Sequence, residues 1–210
     1  DRSDWAWVTR TYLFDRYITQ EVKQGVDVVI NLAAGLDARP YRMGLPRALQ
    51  WIEVDLPELL EYKESILGAE KPVCALERVP MDLADIDRRR ALFAQIARRA
   101  KRAMVVSEGL LIYLAPDAVE SLGKDLSAQS SFQRWATDLA SPGLLRMMSK
   151  DVGAHLESAG APFKFAPAEG PAFFERAGWR ALEVRSLLKT AASLKRLKWW
   201  MKLFGLLPES

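Results

Sequence analysis

Apolar positions recur every three or four residues over residues 3–24. Trp5, Val8, Tyr12, Phe14, Tyr17, Ile18 and Val22 share one side of that segment, which predicts an amphipathic helix capped by Ser3 or Asp4. The period then changes. A β-branched run at residues 26–30 predicts a buried strand, and apolar segments at 49–54, 73–79, 103–107, 132–139 and 179–187 predict five more. Helical spacing returns between them, at residues 39–49, at 58–67 behind Pro57, and along a basic helix capped by Asp85 or Asp87 that runs to about residue 99. Further helices are predicted from Pro116 through residue 126, at 144–158, at 170–177 and at 190–207, with Ser141-Pro142-Gly143 and the segment 160–167 as breaks. Such alternation predicts an α/β chain with a mainly parallel, doubly wound sheet, helices on both faces and ligands at the carboxyl ends of the strands.

Composition narrows this only a little. With 210 residues, 50% of them hydrophobic and 27% charged, one domain spanning 1–210 is expected: an amino-terminal helix at 1–25, a ligand-binding core at 26–140 and substrate-side elements at 141–210. The formal charge of +3 comes from scattered Lys and Arg, so no nucleic-acid partner is expected. The runs Arg88-Arg89-Arg90 and 98–102 read as solvated helix faces. Cys74 is alone and has no partner for an internal disulfide. No signal-peptide pattern opens the chain and no apolar run reaches eighteen residues, so a cytoplasmic protein without a transmembrane helix is expected. His155, the single histidine, stands without a Cys/Asp/Glu cluster, and no metal site is expected.

The chemistry concentrates in residues 28–43, VVINLAAGLDARPYRM, followed by WIEVD ending at Asp55, twenty residues after Gly35. Small residues Ala33, Ala34 and Gly35 at a strand's carboxyl end let backbone N–H groups approach a ligand, and an acid at the tip of the next strand accepts from ribose hydroxyls. Glu53 is a second acid on the same strand face. There is no GxGxxG. Asp37, Arg39 and Pro40 stand where a pyrophosphate would need a bare helix terminus, which suits a nucleoside carrying a small zwitterion.

Five blocks, TRTYLFD from Thr9, NLAAGLDARPYRM from Asn31, WIEVDLPELLEYK from Trp51, PMDLAD from Pro80 and SEGLLIYLAPD from Ser107, make the chain resemble the leucine carboxyl methyltransferase-like S-adenosylmethionine-dependent methyltransferases, bacterial branch. The resemblance implies a Rossmann-like class I methyltransferase fold of six or seven strands, with S-adenosyl-L-methionine as cofactor and S-adenosyl-L-homocysteine as product. It implies that Arg10 grips the cofactor carboxylate, that Ala33 and Gly35 lie against the methionine portion, and that Asp55 holds the ribose. Asp82 would accept from the adenine amino group, the Leu83 N–H would address the ring, and Glu108 would pair with the ammonium. Ala33 departs from relatives that carry glycine there. Asp37 caps a helix or orients the loop, and Glu108 and Tyr113 are the candidates for a catalytic group. The implied reaction is O-methylation of a small-molecule or peptide carboxylate or hydroxyl acceptor. A cofactor-binding protein without turnover and a nucleotide-dependent oxidoreductase are the alternatives.

Two departures from the family pattern bear on the second half. Relatives carry more residues upstream of TRTYLFD, so a more open pocket is expected, and a terminal antiparallel strand is not evident. The basic helix at 190–207 packs on its own domain, lies on a membrane surface, or serves as a lid or dimer element; a homodimer is left open.

Overall fold

The computed structural model describes residues 5–158 and 160–197. Five parallel strands form one sheet in the order β3-β2-β1-β4-β5, with β1 at Val28–Leu32, β2 at Gln50–Asp55, β3 at Ala75–Pro80, β4 at Ala103–Ser107 and β5 at Phe132–Thr137. The helices are α1 Trp5–Lys23, α2 Arg39–Arg42, α3 Pro57–Leu67, α4 Ile86–Arg99, α5 Pro116–Ser127, α6 Pro142–Ser158 and α7 Leu187–Ser193, with 3-10 turns at Leu111–Tyr113 and Gly170–Ala177. The order runs outward from β1 to β3 and then returns to β4 on the other side of β1. The β1–β4 boundary is therefore the switch point at which parallel sheets open a ligand crevice.

Every residue of β1 is buried, and its side chains alternate between two apolar layers. Val28, Ile30 and Leu32 pack with Ile52, Val54 and Val105 against Phe93 and Ile96 of α4 and Val119 and Leu122 of α5. Val29 joins Trp51, Met104 and Val106 on the opposite face, where Phe14 and Ile18 of α1 cover them. Burying side chains such as these contributes roughly 1.5–3 kcal/mol each, which is what seats α1 on the sheet.

The buried charges are paired across elements. Glu53 of β2 accepts from Lys63 of α3 at 2.7 Å and from Arg78 of β3 at 3.1 Å; both Glu53 and Lys63 have no solvent-exposed surface. Burial pushes the Glu53 carboxyl up, and the hydrogen bond and charge of Lys63, with Arg78 behind it, only partly offset this. On the other face Arg89 of α4 pairs with Asp125 of α5 and donates to Ser121 Oγ and to the Leu83 carbonyl. The arginine run is thus not a solvated face throughout, because Arg89 is buried and Arg90 also reaches Asp125, at 2.7 Å.

The sheet has five strands among the described residues, not six or seven. Residues 180–185, expected within a sixth strand, are all exposed, with Leu182 68% and Val184 58% accessible, so this segment has no buried face to place on a sheet. Strand β1 lies two residues further along than predicted because its pairing with β2 and β4 carries it to Leu32. Helix α2 ends at Arg42, where Met43 turns extended (φ −87°, ψ 148°) ahead of Gly44 and Pro46. The segment Gly170–Ala177 is a 3-10 rather than an α-helix. The helix expected at 190–207 is α7, which begins earlier and already ends at Ser193, with Lys195 at φ +57°; residues beyond 197 lie outside the described residues. Among the described residues, no helix is long and apolar enough to cross a membrane.

Candidate functional site

Strand β1 ends in a loop with unusual backbone angles. Ala33 has φ +50° and Gly35 φ +49°, so the chain turns twice through left-handed space, once at a residue that carries a Cβ. The turn brings the Gly35 N–H onto Asp55 Oδ2 at 2.7 Å, while Asp55 Oδ1 accepts the Leu56 N–H at 2.8 Å. Asp55 is 6% exposed, and each of its oxygens keeps a lone pair for a further donor. Gly35 and Asp55, twenty residues apart in sequence, thus form one unit at the tips of β1 and β2.

A second unit sits across the switch point. Glu108 follows β4 and receives two arginines, Arg10 Nε on Oε1 at 2.9 Å and Arg39 Nη2 on Oε2 at 2.7 Å. Arg10, from α1, continues to Asp138 Oδ2 at 3.0 Å, and Asp138, just beyond β5, accepts the Gly109 N–H at 2.7 Å. Gly109 has φ +71°, which a residue with a Cβ adopts only under strain. The Trp7 ring lies 4.7 Å from the Arg10 guanidinium carbon, a cation–π contact on the outer side.

Arg39 is the hub. Its Nε donates to Asp15 of α1 at 2.7 Å and its Nη1 to Asp37 at 2.8 Å, and its side chain is 4% exposed. Asp37 also accepts the Arg39 backbone N–H and the Asn31 amide, both at 2.8 Å, so it both orients the loop and closes the start of α2. Arg42 adds two bonds to Asp15, at 2.6 and 2.8 Å. Burial resists the charge on Arg39, but Asp37 and Glu108, with the Asp15 bond, outweigh it and hold the guanidinium more firmly protonated. For Asp15, burial raises the carboxyl, yet the bonds from Arg42 and Arg39 prevail and leave it below the usual range.

Of the predicted residues, Arg10 and Glu108 meet directly, as do Gly35 and Asp55. Asp82 lies exposed after β3 and accepts the Ala84 N–H at 2.8 Å, and Leu83 packs half-buried against the apolar layer beside α4. Tyr113 stands apart from the ionic group, with its ring 5.6 Å from that of Phe163. Glu53 faces inward to Lys63 and Arg78 instead of a ligand. Reasoning from sequence did not single out Asp15 or Asp138, and it treated Arg39 only as an obstacle to phosphate. Asp15 and Arg39 do lie in quoted blocks, and a charged residue in a block otherwise suited to burial is the signal that marks them. Among the described residues, no group of three or more His, Cys, Asp and Glu is arranged to hold a metal ion.

Around the strand tips and the elements bonded to them stand six carboxylates, Asp15, Asp37, Asp55, Asp82, Glu108 and Asp138, and three guanidiniums, Arg10, Arg39 and Arg42. Among the described residues, Asp55 and Asp82 are bonded by backbone N–H groups only. An excess of carboxylate there favours a cationic ligand.

The sequence profile of the leucine carboxyl methyltransferase family matches residues 3–127. A Frankia alni protein named "Putative S-adenosyl-L-methionine-dependent methyltransferase" is 34% identical over 192 residues, covering 90% of this chain and 66% of that protein. Another from the same organism, with the same description, is 32% identical over 203 residues, covering 90% and 68%. One from Mycobacteroides abscessus is 34% identical over 159 residues, covering 75% and 52%. The chain thus spans between about half and two thirds of the length of these relatives. Among solved structures, a DUF574 family protein from Streptomyces avermitilis superposes with a TM-score of 0.56 at 15% identity, covering 84% of this chain and 66% of that one. Human N-acetylserotonin methyltransferase, solved with S-adenosylmethionine, gives 0.51 at 11% identity, covering 77% and 44%. These two show the fold, a class I methyltransferase sheet. The chain belongs to the leucine carboxyl methyltransferase family.

Proposed function

We propose that this family member binds S-adenosyl-L-methionine in the β1–β4 crevice and transfers its methyl group to an oxygen of a small-molecule or peptide acceptor, leaving S-adenosyl-L-homocysteine. The observation that carries the reading is that Asp55 and Asp82, at the ends of neighbouring strands β2 and β3, accept only backbone N–H groups among the described residues, since the proposed cofactor is a nucleoside with donors on its ribose and adenine. The names of the relatives point the same way.

The residues present suit that ligand group by group. Arg10 is aimed by Glu108 and Asp138 and offers a guanidinium to a carboxylate. Ala33 and Gly35 supply the backbone against which the methionine portion lies, and Asp55 keeps a lone pair on each oxygen for the two ribose hydroxyls. Asp82 is exposed at the tip of β3 for the adenine amino group, with the Leu83 N–H for the ring and its side chain as an apolar wall. Glu108 takes the ammonium.

When bound, the cofactor supplies a methyl group already activated by its sulfonium. The protein's part is to align the acceptor, exclude water and hold charges fixed. Glu108 has each oxygen held by a guanidinium, which suits positioning a ligand better than serving as a base. A carboxylate acceptor, ionised at neutral pH, asks for no base, and the reading favours it over a hydroxyl. A cytoplasmic setting belongs to the same proposal, supported by the single cysteine.

Calorimetric titration with S-adenosylmethionine, S-adenosylhomocysteine and NADH tests the reading. Binding of the first two without the third is expected; nicotinamide binding without either sulfur ligand sinks it.

A further inference from the structure

We infer that Arg39 is a positioning residue that fixes Glu108 in its ligand-facing geometry; the inference rests on the cofactor reading above for its binding test. Three N–H groups of one guanidinium go to three carboxylates brought by three separate parts of the chain. Asp15 comes from α1, Asp37 from the loop after β1, and Glu108 from the end of β4, at 2.7, 2.8 and 2.7 Å. Closing a buried arginine's charge needs one carboxylate, and the other two are not explained by neutralisation. They are explained by placement, because a planar fork holds each acceptor in a defined direction, and an ammonium cannot.

The side chain is 4% exposed and lies over the Phe14 ring, with 5.6 Å between the guanidinium carbon and the ring centre. It is thus shut away from anything in the crevice and acts through what it holds. Glu108 is the partner that faces the crevice, and its remaining guanidinium is that of Arg10. With Arg39 in place, Glu108 has one orientation, each oxygen assigned to a different arginine. Without it, Oε2 is left to find another donor and the carboxylate turns about its Arg10 contact.

Two measurements on the full chain test this. Calorimetry with S-adenosylhomocysteine should show Arg39→Gln weakening binding ten-fold or more, and Arg39→Lys, which keeps the charge and the fold, weakening it at least several-fold. In a Glu108→Gln background the Arg39→Gln change should alter affinity by less than two-fold. Equal affinity for wild type and both Arg39 variants, or the same loss with and without the Glu108 carboxylate, overturns the inference, since a merely architectural arginine behaves in the second way. Carbon-detected NMR of side-chain carboxyls, on the ligand-free protein, is the independent arm. The Glu108 resonance should move in Arg39→Lys and Arg39→Gln, and an unmoved resonance overturns the inference whatever binds. Should wild type bind neither sulfur ligand, the cofactor reading fails by itself, and the carboxyl resonance still decides the role of Arg39.

Discussion

Two ionic groups lie on the same face of this sheet, and they are built oppositely. Glu53, Lys63 and Arg78 form one set under α3, with the Glu53–Lys63 pair wholly removed from water and Arg78 reaching on to Glu64 and the Tyr41 hydroxyl. Arg10, Arg39, Glu108 and Asp138 stand at the strand tips with Glu108 15% and Asp138 26% exposed, and Arg39 holds two further carboxylates, Asp15 and Asp37. Glu53 and Asp55 are two residues apart on one strand, yet the first is committed inward and the second accepts only backbone N–H groups. Sequence spacing puts both acids on one face. Between these two acids the supply of cations makes the difference: Glu53 with a lysine of its own is part of the scaffold, and Asp55, satisfied by amides, still has charge to offer a ligand.

The largest way to sharpen this contrast is Lys63→Ala. It leaves the buried Glu53 carboxylate to Arg78 alone and should cost up to about 3–5 kcal/mol of stability in denaturant unfolding, with affinity per folded molecule for S-adenosylhomocysteine unchanged. A loss of affinity without loss of stability would erase the distinction. Asp55→Ala should do the reverse, weakening the same ligand by roughly 1–3 kcal/mol through the lost hydrogen bonds, with a smaller stability change. Unaltered affinity in the folded variant refutes the ribose assignment. Ala33→Gly removes a Cβ from left-handed backbone and should raise the unfolding midpoint, by about 0.5–1 kcal/mol after the extra entropy of glycine is subtracted. A fall instead would mean the loop is held by something other than strain tolerance.

The smallest effect is in pH. The Asp15 carboxyl lies below its ordinary value of 3.8, so its contribution is present above that value and is lost as pH falls through the lower, folded value. Acid unfolding of Asp15→Asn should therefore be shallower in that range than wild type, by thermal melts at stepped pH. Superimposable curves would show that Asp15 adds nothing to the seat of α1.

Elements whose burial pattern is local were legible in the sequence. Strand β4 falls on the residues that the apolar run marks, Asp85 caps α4 by accepting the Arg88 N–H, and Pro57 opens α3. The five-block resemblance pointed to the same family and sheet. Residues 179–187 misled because Leu182 and Val184 face solvent and the segment pairs with neither edge strand, β3 or β5, while Trp179 alone turns into the apolar layer. The arginine hub was hidden for another reason. Arg39 and Glu108 are 69 residues apart and Arg10 and Asp138 are 128 apart, and no periodicity within a window connects such pairs. Arg89 was misread likewise, since its partner Asp125 lies 36 residues on, in the next helix of the same layer.

The Arg10–Asp138 pair has a consequence for how the molecule comes into being. A ribosome that has released the chain only as far as the start of α4 has already delivered Arg10, Gly35, Asp55 and Asp82, which is most of the proposed ligand-binding set. It has delivered neither Glu108 nor Asp138, the two carboxylates that aim Arg10. At about 5–20 residues per second, the emerging chain spends several seconds between those stages with Arg10 unanchored. Ligand capture is thereby postponed until the fifth strand exists, and a truncated product of translation holds the parts of the site without the site.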